Sequence, residues 1–402
     1  MSETRKVPFH RPSVGTEEID EVTATLKSGW LTSGPRTAQF EREFRESIGV
    51  PHAQAVNSCT AGMHLALAAL GIGTDSEVIT TPLTFCATVN VILHTGAKPV
   101  LVDVGPDGNI DTSRIAERIT ERTRAIMPVH MAGLPVEMDE VWEIAKRHRL
   151  HVIEDCAHAV GAHYKGWPIG AGRPDLGYFS DAASFSFYAT KNVTTGEGGM
   201  VTTHDDSLAE RMKVLCLHGI NRDAWNRYAD RGNWYYQVLE AGFKYNLSDL
   251  QSAIGIHQLR KLEQFTERRT LLARLYHELL GGIEELTLPP DRPDCRHAWH
   301  LYILRLNNGA LSIHRDEFVR ALGERGIGTS VHFIPIHLHP FFEPYAGNND
   351  CPNAVNLYQR SISLPLYPAM TEEDVSYVAD AVKAIVQTSK RSMSLAAFAG
   401  GI

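Results

Sequence analysis

Lys191 stands in the stretch SFSFYATKNVTTGEGG, residues 184–199, between an alternating run and a glycine-rich turn. Successive side chains of an extended strand point to opposite faces, so Ser184 and Ser186 share one face and Phe185 and Phe187 the other. The serines read either as hydroxyls turned to water on a half-buried strand or as a hydroxyl aimed at a ligand phosphate. A lysine near a core ordinarily carries its ammonium out to solvent. The chemical reading of Lys191 is an amine of lowered pKa, ready to condense with a carbonyl. The pair Gly198-Gly199 reads as a tight turn needing free φ, which would set the direction of the lysine.

Three other stretches hold groups that could work with such an amine. HVIEDCAHAVGA ends an apolar run on Glu154 and Asp155, where open α/β sheets bind ligands. Asp155 is either a helix N-cap or a buried carboxylate that holds a proton on a pyridine nitrogen; His158 is a core histidine or packs on a cofactor. In AVNSCTAGMHLALAAL, small residues including Thr60 and Ala61 lead straight into a helix. Its open N–H groups suit a phosphate, although a plain turn capped by Ser58 or Thr60 fits equally. Phe85, in TPLTFCATVN, is core or stacks on a flat heteroaromatic ring. An amine, an acid, an anion cradle and a stacking ring together are the partners that pyridoxal 5'-phosphate requires.

These residues need a scaffold, and the rest of the pattern supplies one. Apolar runs recur at HAQAVN, SEVITT, KPVLVDV, TRAIMPVH and HVIEDC, with helical stretches such as MHLALAAL and MDEVWEIAKRHR between them. That alternation predicts an α/β fold with a mostly parallel central sheet flanked by helices. Helices are also expected at Thr16–Ser28, over PRTAQFEREFRESIG, and from Ser248 to about Leu280, where Ser248 and Gln251 form a capping-box pattern. HLYILRL, DEFVRALGERG, the extended run TSVHFIPI and a last helix from Thr371 predict a smaller C-terminal α+β domain. The expected division is 1–255, the cofactor-binding domain with its N-terminal arm, and 256–402.

The bulk numbers bound the function. The 402 residues carry a net charge of −8 with 43% hydrophobic and 21% charged residues, ordinary for a globular protein and without a basic stripe for nucleic acid. No run is apolar enough to span a membrane, and the N-terminus has no signal-peptide core. Cys59, Cys86, Cys156, Cys216, Cys295 and Cys351 lack metal-site spacing and read as free thiols, which predicts a cytoplasmic location. His337 and His339 alternate as if on one strand face, but no third ligand accompanies them, so no metal is expected. No GxGxxG fingerprint follows the first strand, which sets a dinucleotide site aside.

The motifs SGWLTSGP, SCTAGMHLAL, EDCAHAVGA, SFYATKNVTTGEGGM, HGINRDAWNRY, KYNLSDLQSAIG, HAWHLYILRL, VHFIPIHLHPFF and SISLPLYPAMTEEDV occur in order over nearly the whole chain. In this the sequence resembles the DegT/DnrJ/EryC1/StrS sugar aminotransferases, which have the fold-type-I pyridoxal-phosphate architecture. The resemblance implies that Lys191 is the imine-forming lysine, Asp155 the acid at the pyridinium nitrogen and His158 the residue beside the ring. It implies that Thr60, Ala61 and Ser186 serve the phosphate and that Phe85 stacks on the ring. Asn246 would reach the phosphate of a neighbouring subunit, so a homodimer is implied. Tyr188 and His332 fall where the sugar binds, and Trp225 and Arg227 would meet substrate or partner chain, or form an amphipathic interface. The implied activity is transfer of an amino group, by L-glutamate and a pyridoxamine phosphate stage, to a nucleotide-linked 4-keto sugar. The sequence resembles the branch that makes 4-amino-4-deoxyarabinose nucleotides, departing from it at Tyr188 and in IPIHLHPFF. Amination of a 3-keto sugar, sugar dehydration and a non-catalytic regulatory role are the alternatives; relatives that dehydrate carry His in place of the lysine.

Overall fold

The computed structural model describes residues 5–221, 235–307, 309–346 and 351–391. Its first part alternates as the pattern requires. The strands are β1 (His52–Val56), β2 (Glu77–Thr80), β3 (Lys98–Leu101), β4 (Thr123–Met127), β5 (His151–Asp155), a side ribbon of β6 (His163–Tyr164) and β7 (Trp167–Pro168), β8 (Ala182–Ser186) and β9 (Gly199–Thr203). Seven of them form one sheet in the order β1-β9-β8-β5-β4-β2-β3. The pairs from β8 to β3 are parallel; β9 and β1 are attached antiparallel. Around it lie α1 (Thr16–Ser28), α2 (Pro35–Ile48), α3 (Cys59–Ala69), α4 (Cys86–His94), α5 (Met138–His148), α6 (Asp206–Cys216) and α7 (Asp249–Arg260).

The strands are apolar on both faces because helices cover both. Ile79, Ile126, Val152, Phe185 and Met200 pack with Phe40 and Phe44 of α2 and Val141 of α5. Residues of opposite parity, Val78, Ala125, Ile153, Ala182 and Val201, pack with Met63 and Leu65 of α3 and Ile92 of α4. Phe185 and Phe187 are fully buried, with ring centroids 5.0 Å from Phe44 and 5.2 Å from Phe40 respectively. Each such burial contributes about 1.5–3 kcal/mol.

The hydroxyl of Ser184 does not face water. It is fully buried under α3 and donates to the Cys59 carbonyl at 3.0 Å. Gly62 lets the helix come this close, because a Cβ there would lie 2.3 Å from Ser184 Oγ.

The glycine pair after Lys191 also has a different cause from the expected one. In this loop the left-handed φ belongs to Gly196, at +81°, not to Gly198 or Gly199. Gly199 opens β9, and a Cβ on it would stand 2.6 Å from Cys59 N and 2.7 Å from the Phe185 carbonyl oxygen. Backbone atoms cannot swing aside, so close approach demands the glycine. Gly199→Ala is expected to destabilise the protein by about 1–3 kcal/mol, as overpacking typically does. A thermal scan showing an unchanged melting temperature would contradict this.

The helix expected from Ser248 to Leu280 is two helices, α7 and α8 (Leu262–Leu280). The capping box is present, with Ser248 and Gln251 satisfying each other's backbone N–H groups. The break falls at Lys261, which carries no proline or glycine signal; its ammonium sits 2.9 Å from both Glu17 and Glu18 of α1. Beyond it β10 (Leu286–Thr287), β12 (Tyr302–Leu306) and β13 (Ser361–Leu364) form a second sheet, while β11 (Cys295–Arg296) pairs back to β6. Leu272, Tyr276, Leu304, Phe318 and Val378 build a second apolar cluster, which also takes in Val7 of the N-terminal arm. The final helix, Glu372–Ser389, is capped by Thr371 as its sequence suggests. His337 does not share a strand face with His339: Ile336–Leu338 is a 3-10 turn and His339 follows it. The described cysteines are all free thiols. Among the described residues no helix is long and apolar enough to cross a membrane.

Candidate active site

A cavity of about 550 Å³ opens at the carboxyl ends of β5 and β8. Lys191 reaches it from the turn after β8, where its N–H donates to the Tyr188 carbonyl at 2.9 Å. Lys191 is half-buried, and loss of hydration around its amine pushes its pKa down to about 8 against the opposing charge of Asp155. Asp155 ends β5 and is buried in the cavity floor. One of its oxygens accepts from the Thr88 hydroxyl at 2.7 Å, the other from the Ala157 N–H at 3.0 Å. Burial raises its pKa above the usual carboxylate range; Thr88, Ala157, Lys191 and His130 pull the other way.

Histidines form the opposite wall. The His158 ring lies 4.3 Å from that of His300 and stacks at 5.8 Å on Phe333. Burial, Lys191 and neighbouring rings hold His158 and His300 well below the ordinary imidazole range. His332 is pushed down to about 4, chiefly by burial, and its Nδ1 meets Ser363 Oγ at 2.7 Å. These rings are neutral at physiological pH and meet a ligand as polar surfaces rather than charges. His300 is oriented by Asn192, whose amide donates to the Ala298 carbonyl at 2.7 Å and turns its oxygen to His300 Nδ1 at 3.2 Å.

The remaining sequence-derived residues are placed as follows. Thr60 lines the cavity in the first turn of α3, beside Ser58 and Cys59. The Ala61 N–H is occupied by the Ser58 cap at 3.0 Å, and Ala61 is outside the lining. Ser186 lines the floor at the end of β8; Phe85, 60% exposed, and Tyr188, 46% exposed, stand at the mouth. Asn246 does not line this cavity: its amide donates to Ser33 Oγ at 2.7 Å and its oxygen accepts from the Lys244 ammonium. Trp225 and Arg227 lie outside the described residues. Thr84, Thr88 and His300 also line the cavity; their segments TFCAT and HAWH carry no local signal that sets these side chains apart.

One buried cluster has the composition of a metal site. His130, Glu154 and Cys156 bring ligand atoms within 4.8 Å of one another. His130 Nδ1 accepts from the Val136 N–H at 3.1 Å, so the ring proton sits on Nε2 and is donated to Glu154 at 3.0 Å. No lone pair of that imidazole remains for a cation.

The cavity fits pyridoxal phosphate. His158 Nδ1 is buried with no hydrogen-bond partner among the described residues, an atom that a ligand would satisfy. A buried carboxylate and an amine of depressed pKa face one space, with a helix N-terminus beside them. The profile of the DegT/DnrJ/EryC1/StrS aminotransferase family matches residues 12–383. The chain is 53% identical over 387 residues to the Methanocaldococcus jannaschii protein MJ1066, covering 96% of this chain and 98% of that one. It is 49% identical over 385 residues to the spore coat polysaccharide biosynthesis protein SpsC of Bacillus subtilis, covering 95% and 97%. Among solved structures it is similar to Spr1654 of Streptococcus pneumoniae, a protein classed with the sugar aminotransferases. The PMP form of Spr1654 matches with a TM-score of 0.88 at 30% identity, over 95% of this chain and 100% of that chain. Its PLP form matches at 0.87 and 29%, over 96% and 99%. The chain therefore belongs to the DegT/DnrJ/EryC1/StrS aminotransferase family and is a pyridoxal-phosphate-dependent sugar aminotransferase of fold type I.

Proposed function

We propose that this aminotransferase takes its amino group from L-glutamate and delivers it to C4 of a nucleotide-linked 4-keto sugar, in two half-reactions that use one site in turn. The observation that carries the reading is the convergence of Lys191, its amine held at about 8, and the buried Asp155 carboxylate on a single cavity. Donor and C4 position come from the resemblance of the motifs around Lys191 and Asn246. The likeness to SpsC supports a polysaccharide as the destination of the amino sugar.

Bound pyridoxal phosphate supplies an electron sink and carries the amino group, as pyridoxamine phosphate, between the half-reactions. Lys191 would hold the cofactor, and its Nζ would move a proton, first as base and then as acid. Asp155 holds a proton on the ring nitrogen. Thr60 and Ser186 bind the phosphate, and Phe85 clamps the ring. Tyr188 and His332 meet the sugar with uncharged groups. Asn246 belongs to the site of a second copy, which fits its place outside its own cavity.

The test has two stages. Borohydride reduction of the holoenzyme is expected to fix the cofactor on the peptide containing Lys191; a tag elsewhere, or none, overturns the site. L-Glutamate alone is expected to yield one equivalent of 2-oxoglutarate per site. Nucleotide 4-keto and 3-keto sugars are then offered, and amination only at C3 refutes the C4 assignment.

A further inference from the structure

Thr84 lies in the loop two residues before α4 and Thr88 in the first turn of that helix, where their hydroxyls meet at 2.8 Å. Both are buried, at 3% and 1% exposure. A threonine in a helix commonly donates its hydroxyl to the carbonyl four residues back. Thr88 instead donates to Asp155 at 2.7 Å. A hydroxyl has one proton, so the 2.8 Å contact between Thr84 and Thr88 must run from the Thr84 hydroxyl to the Thr88 oxygen. The chain is therefore directional: Thr84 donates to Thr88, and Thr88 to the carboxylate. The Ala157 N–H, which can only donate, takes the other oxygen at 3.0 Å.

We infer that Thr88, backed by Thr84, is a positioning residue that donates to Asp155, favouring its charged form and aiming the carboxylate that holds the proton on the nitrogen of the cofactor ring. The physical reason is that burial opposes a bare carboxylate, whereas donors directed at its oxygens favour the charged form. A donor chain also fixes the carboxylate plane, which leaves the remaining lone pairs turned to the cavity that Thr88 and Asp155 both line. The inference rests on the pyridoxal-phosphate reading of this cavity and adds two residues to it.

The test uses the holoenzyme loaded with cofactor labelled with ¹⁵N in the ring. Thr88→Val keeps the shape and removes the donor. Its ring-nitrogen resonance is expected to move toward the unprotonated position, and kcat to fall roughly ten- to hundredfold, the scale of a hydrogen bond to a charged group, with KM for the donor little changed. Thr88→Ser, which keeps the hydroxyl, is expected to restore both. Thr84→Val should shift both readouts in the same direction by less. Because Thr84 acts through Thr88, it should add nothing in the Thr88→Val background. A wild-type ring-nitrogen signal in Thr88→Val overturns the inference, as does a Thr84→Val effect that persists in the double variant. If Thr88→Val does not fold, wild-type values in Thr84→Val alone overturn it. Cofactor bound through Lys191 with an indifferent Thr88 sinks only this inference; a wild-type protein that takes up no cofactor sinks the site reading with it.

Discussion

Lys191→Ala is expected to lower kcat by at least about 10³-fold while leaving the fold intact, because the variant loses the one amine that can move the proton in both half-reactions. The loss should appear in each half-reaction separately when single turnovers are followed by cofactor absorbance. Lys191→Arg is expected to fare no better, since a guanidinium stays protonated and cannot act as the base. With its pKa at about 8 the wild-type amine is about half unprotonated at pH 8, whereas an ordinary lysine near 10.5 would be free in only about 0.3% of molecules. Burial therefore leaves much more of the amine unprotonated than an exposed lysine would have at the same pH. A small primary amine added to Lys191→Ala should recover some turnover. Activity within tenfold of wild type in the alanine variant would remove Lys191 from the reaction.

Asp155→Asn is expected to cost about 10²-fold or more in kcat, the scale of losing a preorganised electrostatic partner. The amide cannot hold a proton on the ring nitrogen, so the electron sink weakens although the shape is kept. A second effect has a definite sign. The Asp155 charge raises the Lys191 pKa, so the variant amine should titrate below about 8. The pH at which Lys191 of the cofactor-free protein begins to react with an acylating reagent should move down. Wild-type turnover, or an upward shift of that titration, would contradict the assignment of Asp155.

The sequence and the structure divide this protein along a physical line. Strand and helix periodicities are local, so the α/β alternation could be read directly, as could the helix starts at Ser248 and Thr371. Asp155 at a strand end and Lys191 just past another were legible for the same reason, and the family motifs named their roles. The break at Lys261 was invisible because it has no local punctuation; it coincides with ion pairs to α1, some 240 residues away. The requirement for glycine at 199 has no local cause, since the atoms that exclude a Cβ there come from the α3 turn and β8.

What the residues by themselves determined is the fold class and where the candidate amine and acid stand in it. Each is written in a short pattern of side-chain type and spacing. Only tertiary structure decided that Thr88 of α4, with Thr84 from the loop before it, would meet Asp155 at the end of β5, and that His300 would line one cavity with Lys191, 109 positions away. Such contacts depend on how the sheet and its helices close around the cavity, and no periodicity along the chain encodes that closure.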